Sequence, residues 1–297
     1  MLNGVINVYK EKGFTSHDVV AKMRGIFHQK KIGHTGTLDP DAEGVLPVCL
    51  GNATKLCDML TDRSKCYEAV LLLGVDTDTQ DAGGTVLSRR DVTCTEEELL
   101  KVVDSFLGDY DQVPPMYSAL KVNGKKLVDL ARKGIVVERE ARRVRIEEIR
   151  VTETALPRAR IEVECSKGTY IRTLCRDIGE KLGCGGCMET LLRTRSGQFL
   201  LEDAHRLSEL EAAARSGDPG RFLIPTDSCL LEYPEARALP EADRFIRNGN
   251  PVRQSLICAE KPETGRVFRV YDSGGVFAGL YRLSAGELFR PEKLFLS

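Results

Sequence analysis

The alternation of apolar and polar positions divides the chain into strand-like and helix-like stretches. Residues 2–9 alternate around Val5, Ile6 and Val8 and predict an opening strand. After a turn at Lys10-Glu11-Lys12-Gly13-Phe14, Ser16 stands as the N-cap of a helix with Val19, Val20, Met23, Ile26 and Phe27 at helical spacing. This helix runs into the basic patch His28-Gln29-Lys30-Lys31, and a second is expected near Thr54, through Lys55, Leu56 and Leu60. Tyr67 to Gly74 reads as a buried strand. Thr95 and Glu98 form a capping box for a helix carrying Leu99, Leu100, Val103 and Leu107.

The second half continues the mixture. Pro114 to Lys121 is extended, because a proline disfavours helix in the residue before it. A short helix from Lys125 to Lys133 stops at Gly134. Val144, Ile146, Ile149 and Val151, then Ile161, Val163 and Cys165, mark two strands joined around Pro157. Lys167 to Arg172 leads into a helix with Ile171, Leu174, Cys175, Ile178 and Leu182 on one face, and Gly183 suits its end. Beyond Arg195-Ser196-Gly197 come a strand and a helix at Leu207–Arg215, then a break at Ser216-Gly217-Asp218-Pro219-Gly220. From about Leu231 short strands dominate, such as Val267–Tyr271 and Val276–Leu283, which predicts a small β-rich unit. The pattern is that of an α+β protein.

One stretch breaks the periodicity. Gly33-His34-Thr35-Gly36-Thr37-Leu38-Asp39-Pro40-Asp41-Ala42-Glu43-Gly44-Val45-Leu46-Pro47 holds three glycines and two prolines and reads as a loop. Asp39 sits inside it, before a proline, where an aspartate commonly starts a turn.

Composition narrows the class. The 297 residues, 42% hydrophobic and 29% charged, suit one large domain and a small one. The N-terminus lacks the apolar core of a signal peptide, and no run approaches the roughly 20 apolar residues of a membrane span. Ten scattered cysteines then imply reduced thiols in a cytoplasmic protein. The net charge of -1 is uneven: residues 1–56, 57–114, 115–200 and 201–297 carry +2, -8, +7 and -2. A basic block beside an acidic one suits a polyanion docking on one face.

Candidate chemistry centres on Asp39. Arg172 is of the type that holds a carboxylate ionised and oriented, and Tyr67 or Tyr170 could stack on a flat ligand. Spacing alone does not bring these residues together; each also has an ordinary reading as a turn, strand-edge or helix-face residue. Asp76, Asp78 and Asp81 lack the twelve-residue calcium loop and its terminal Glu, so this stretch is read as a connection. Cys184-Gly185-Gly186-Cys187 has the spacing of half a zinc site, but a site needs about two more ligands, and no second pair exists. His17, His28 and His205 show no metal spacing either. No metal or cofactor is expected.

Taken together, the motifs resemble the TruB-type tRNA pseudouridine-55 synthases. Gly33 to Pro40 with Gly44-Val45-Leu46-Pro47 is similar to that family's catalytic motif. Lys10 to Val20 resembles its Lys-Pro-x-Gly-x-Thr-Ser motif, and Lys65-Cys66-Tyr67 its Lys-x-Tyr. Pro114 to Lys121 resembles Pro-Pro-Met-Tyr-Ser-Ala-x-Lys; Gly168-Thr169-Tyr170-Ile171-Arg172 and Leu191 through Gly197 complete the order. The likeness covers roughly residues 1–230, and 231–297 resembles more loosely a PUA-type RNA-binding domain.

The resemblance implies a pseudouridine synthase catalytic domain with a central mixed, mostly antiparallel sheet and a PUA-like tail. It implies Asp39 as nucleophile, Arg172 as its ion-pair partner, and Tyr67 as the ring stacking on the base and a proposed base for the last proton. Tyr170 would line the pocket under the uracil, Leu191 its apolar wall, and His34 would contact RNA beside the flipped nucleotide; Lys10 is counted with the substrate-binding residues. The expected activity is isomerisation of uridine 55 in the tRNA T-loop, by a bacterial monomer needing no protein partner, membrane or cofactor. Same-chemistry action on another RNA, and a tRNA-folding helper independent of catalysis, are the alternatives. The chain departs from the family pattern at Glu11, where Pro is usual, at Val128 (often Tyr), and at Leu192 (often Arg). Arg193 and Arg195 remain for phosphate contacts beside Leu192, and the family usually has a cysteine where Cys184 stands.

Overall fold

Period-two burial along the strands builds one large sheet, and the helices cover its apolar surfaces. The computed structural model describes residues 1–296. The chain opens with β1 (Gly4–Lys10), α1 (Ser16–Ile26), β2 (Ile32–His34), β3 (Glu43–Leu50), α2 (Cys57–Thr61) and β4 (Lys65–Leu73). A separate hairpin of β5 (Val75–Thr77) and β6 (Val86–Arg89) precedes α3 (Glu96–Asp104) and β7 (Gly108–Gln112). A second hairpin, β8 (Lys121–Val122) and β9 (Lys125–Lys126), leads through α4 (Leu127–Ala131) to β10 (Arg142–Ala155) and β11 (Arg158–Cys165). Next come α5 (Ile171–Lys181), β12 (Gly186–Ser196), β13 (Phe199–Leu200) and α6 (Leu207–Arg215).

The large sheet has the order β1-β3-β12-β4-β11-β10-β7, with β2 also on β3 and β13 on β12. Every pairing is antiparallel except β12 with β3, so the expected mixed, mostly antiparallel sheet is present. Leu174, Cys175 and Ile178 of α5 pack with Leu71, Ile161 and Leu191 in one core. A second core joins α1 and α6 to β1 and β3 through Val8, Val19, Met23, Leu46 and Leu210.

The tail forms a six-stranded sheet. After β14 (Glu235–Ala238) and α7 (Asp243–Arg247) come β15 (Val252–Arg253), β16 (Ile257–Ala259), β17 (Val267–Tyr271), β18 (Phe277–Ser284) and β19 (Leu288–Leu294). Their order is β15-β19-β18-β17-β14-β16. Leu280 and Phe295 pack with Val5, Val45, Cys49 and Leu56 of the large unit. The Lys55 ammonium donates to the Leu294 carbonyl at 2.6 Å.

Several local expectations need correction. Thr15, not Ser16, caps α1: its hydroxyl accepts from the Asp18 amide, and the Asp18 carboxylate accepts from the Thr15 amide. The 33–47 stretch is not one loop, because Gly33 and His34 lie in β2 and residues 43–50 form β3. Pro47 is accommodated because the odd residues of β1 aim their groups away from β3, as the Val5 and Tyr9 amides bonding Ile224 and His205 show. Pro47, opposite Asn7, therefore needs no donor toward β1, and on its other side it falls between the β12 and β2 pairings. The helix near Thr54 begins as a 3-10 turn over Gly51–Leu56, the 125–133 helix shortens to α4, and Leu107 lies beyond α3.

The parallel pairing of β3 with β12 brings the Asp39 loop onto β12. Gly44 has φ +104, and a Cβ there would stand 2.3 Å from the Arg193 carbonyl oxygen. Gly44→Ala is expected to destabilise the protein by about 2–4 kcal/mol in chemical denaturation. Unchanged stability would mean that β3 and β12 do not approach this closely.

Candidate active site

The 35–42 loop has little regular structure and is held by its surroundings. Leu38 is buried, and its amide donates to the Ser16 hydroxyl at 2.9 Å, so the residue after the helix cap fixes the one before Asp39. The Thr35 amide donates to the Pro47 carbonyl at 3.1 Å, and the Thr61 hydroxyl to the Thr35 carbonyl at 2.9 Å. The Ala42 amide closes a turn on the Asp39 carbonyl at 3.1 Å. Asp39 is thus presented from a pinned turn.

Its partner comes from the first turn of α5. The Arg172 side chain is 4% exposed and the Asp39 side chain 37%, so the guanidinium is the buried member and the carboxylate faces space. Arg172 Nη2 donates to Asp39 Oδ1 at 3.1 Å and to the Tyr117 carbonyl at 2.9 Å; Nη1 donates to the Thr79 carbonyl at 2.8 Å. Nε lies 2.9 Å from Asp39 Oδ2, an ionic contact whose hydrogen is not aimed well enough to count as a bond. Asp81 Oδ2 stands 3.7 Å from Nη1 as a second carboxylate on the same cation. Burial raises the Asp81 pKa above its usual value, with the Thr79 hydroxyl bond opposing.

A cavity of about 260 Å³ opens beside Asp39, lined by Tyr67, Tyr117, Tyr170, Leu191, Lys65 and Arg193 among others. That is slightly below the usual range for small-molecule pockets and suits a single nucleotide. Tyr67 lies across from Arg193 in the β4–β12 register, and Leu191 two residues along faces Ala69. Burial raises the Tyr67 phenol pKa, with the Arg193 charge acting the other way. The Tyr170 backbone is clamped by Gln112, whose side chain donates to its carbonyl at 3.0 Å and accepts from its amide at 2.8 Å. A larger cavity of about 820 Å³ lies between α1 and α6, but its acids are already paired, Glu11 with Arg206 and Glu211 with Arg215.

The structure therefore brings Asp39, Arg172, Tyr67, Tyr170 and Leu191 to one cavity. Lys10 is different. It is fully buried, and its ammonium donates to the carbonyls of Phe14 at 2.6 Å, Pro40 at 3.1 Å and Glu11 at 3.2 Å. Counting it among substrate-binding residues is corrected: it ties the first turn to the Asp39 loop and has no surface left for a ligand. Burial pushes its pKa down to about 8, with Asp39 opposing. His34 lies outside the cavity lining, edge-on to His17 at 5.4 Å, and its Nδ1 accepts from the Gly36 amide at 3.3 Å. Arg193, expected on phosphate, is 1% exposed and donates to the Val45 and Gly36 carbonyls at 2.6 and 3.3 Å. Arg195 is engaged with Glu164 at 2.5 Å. Cys184 and Cys187 are buried free thiols, and no metal-binding cluster occurs among the described residues. Sequence reasoning missed Ser16, Lys65 and Gln112 as site-forming residues; a lysine two before Tyr67 on an otherwise apolar strand face was the available signal for Lys65.

A family model described as TruB family pseudouridylate synthase (N terminal domain) matches residues 24–171, and one described as tRNA pseudouridylate synthase B C-terminal domain matches 172–231. The chain is 52% identical over 307 residues to a tRNA pseudouridine synthase B of Lachnoclostridium phytofermentans, covering 99% of this chain and 100% of that protein. It belongs to the TruB family of pseudouridylate synthases. A tRNA pseudouridine synthase B of Clostridium perfringens is 44% identical over 299 residues, with 99% of each chain covered. Among solved structures, one of a Cbf5-Nop10-Gar1 complex matches with a TM-score of 0.74 at 27% identity, over 99% of this chain and 85% of that one. The expected fold of this family, with its β-rich C-terminal unit, is the one observed.

Two outcomes follow from this geometry. Arg172→Lys keeps the charge but cannot serve Asp39, Thr79 and Tyr117 together; a loss of about 3–5 kcal/mol in stability and at least about 100-fold in turnover is expected. Near-normal values for both would show that the fork geometry is dispensable. Burial lowers the His34 pKa from 6.5 to about 4, with the His17 charge adding to it. The unfolded chain then takes up this proton first, so the contribution is complete above about pH 6.5 and lost as pH falls toward 4. In denaturation series across that window, wild type is expected to lose more stability than His34→Gln; parallel curves would refute it.

Proposed function

We propose that this protein isomerises uridine 55 in the T-loop of tRNA to pseudouridine, with Asp39 as nucleophile. The observation that carries this reading is a carboxylate turned toward a nucleotide-sized cavity while its own guanidinium partner is buried behind it. Arg172 holds the carboxylate in place, and Tyr67 and Tyr170 offer aromatic surface for a base withdrawn from its stack. Names of the relatives support tRNA as the RNA.

The chemistry fits these residue types. Uridine and pseudouridine are isomers: the C1′–N1 bond breaks, a C5–C1′ bond forms, C5 loses its proton and N1 gains one. The Asp39 carboxylate can attack C1′ of the sugar or C6 of the ring. Tyr67 suits stacking as it stands. As acceptor of the C5 proton it would work against the burial that keeps its phenol protonated, with Arg193 helping.

In this reading residues 1–230 form the catalytic domain and 231–297 a PUA-like RNA-binding domain. The protein works in the cytoplasm as a monomer without a protein partner, and contacts to the T-arm phosphates make binding salt-sensitive. No helix is long and apolar enough to cross a membrane among the described residues.

Unmodified tRNA transcripts tritiated at C5 of uridine test the reading. Wild type is expected to release tritium from position 55, Asp39→Asn at least about 1,000-fold more slowly, and a transcript with cytidine at 55 to release none. Equal release by both proteins would remove Asp39 from the chemistry. Release that survives the cytidine replacement would overturn the position, and tight binding without release would favour a folding helper.

A further inference from the structure

Two cations that line the cavity have no carboxylate partner among the described residues. Lys65 and Tyr67 alternate onto one face of β4, and Arg193 of β12 lies directly across from Tyr67. Both cations line the cavity, and they are only 6% and 1% exposed. The cavity's other charged groups are paired, Arg172 with Asp39 and Lys167 with Asp62. Among the described residues neither Lys65 nor Arg193 has a carboxylate oxygen within 4.0 Å.

Backbone carbonyls take part of their hydrogens. Lys65 donates to the carbonyls of Thr61 at 2.5 Å and Arg63 at 2.6 Å, and Arg193 to Val45 and Gly36. One ammonium hydrogen of Lys65 takes no protein acceptor among the described residues, and the Nη1 group of Arg193 takes no carbonyl or carboxylate there, with the Tyr67 phenol as its neutral neighbour. Capping a carbonyl needs a donor, not a charge. A glutamine would do it without the cost of burying an ion away from water. The charge itself therefore calls for a partner, and the cavity is where an anion can meet it.

We propose that Lys65 and Arg193 stabilise the negative charge that develops on the uracil ring as its bond to the sugar breaks. This rests on the uridine-to-pseudouridine reading above. When C1′–N1 breaks, both electrons leave with the base, and the charge spreads over N1, O2 and O4. It is consumed when C5 bonds to C1′, the C5 proton leaves and N1 takes up a proton. If Asp39 adds to C6 instead, the displaced pair moves to O4 as an enolate, so either route charges the ring. Cations already fixed beside the reacting ring stabilise such charge without reorganising.

The test separates charge from carbonyl capping. Lys65→Gln keeps amide donors and loses the charge; Lys65→Arg restores it. Single-turnover consumption of the target nucleotide is measured in tRNA carrying uridine or 5-fluorouridine, with RNA affinity measured alongside. Fluorine withdraws electrons and stabilises the ring anion by itself. Lys65→Gln is expected to slow uridine about 10- to 100-fold at unchanged affinity. Its defect should shrink at least about fivefold on 5-fluorouridine, and Lys65→Arg should recover most of the rate. Arg193→Gln, which loses the charge and keeps amide donors, is expected to show the same substrate dependence, and it carries the comparison if Lys65→Gln does not fold. Equal defects on both substrates, or a defect confined to RNA affinity, overturn the proposal while leaving the reaction intact. A wild type inactive on uridine overturns the reaction and the proposal together.

Discussion

The Arg172 guanidinium is the constraint on which the rest of the site depends. It joins three segments far apart in sequence: the Asp39 turn, the Thr79 carbonyl and the Tyr117 carbonyl. Each of those segments is irregular, so none would hold its geometry on propensity alone. The guanidinium is placed by α5, whose apolar face is locked into the main core. That packing needs a close approach at Gly179, where a Cβ would meet the Gly185 backbone at 2.2 Å. Helix packing, the cation and the carboxylate thus form one chain of dependence, and each link is rigid enough to pass its position on.

A second regularity sets the electrostatics. Lys10, Lys65 and Arg193 are buried beside the Asp39 turn, and all three spend hydrogens on carbonyls rather than on carboxylates. Backbone positions are fixed this way while positive charge stays in the site. The uneven charge along the chain resolves differently from a bare acidic face beside a basic one. Asp109 and Asp111 of β7 are taken up by Arg145 and Arg143 of β10, which also blunts the exposed edge of the sheet. Arg150 and Arg158 are likewise held by Glu162 and Glu189. Much of the basic block is therefore structural, and the net charge of a segment overstates what a polyanion would meet.

The elements with strong periodicity were legible: the Thr95 capping box, the β10–β11 pair around Pro157, and the Leu207–Arg215 helix all stand where alternation and caps put them. Pro47 was misread because a proline's effect depends on which way its nitrogen faces, and that is decided by the partner strand. The Asp39–Arg172 contact spans 133 positions, which no local pattern encodes; only the resemblance joined the two. Lys10 shows the opposite failure. A lysine beside a functional loop suggests a ligand, and nothing local reveals that three carbonyls will surround it.

The departure at Glu11 shows where the geometry of the first motif resides. Its carboxylate is held by Arg206 at 2.5 Å, and Arg206 also lies over the Tyr9 ring at 4.8 Å. The charge that stands in for proline is thus neutralised on the α6 side. Meanwhile the turn is closed by main-chain groups: Lys10 bonds the carbonyls of residues 11 and 14, and the Gly13 amide donates to the Pro40 carbonyl at 2.9 Å. Those contacts do not involve the side chain at 11, so proline is one way of stiffening this turn and an ion pair to α6 is another.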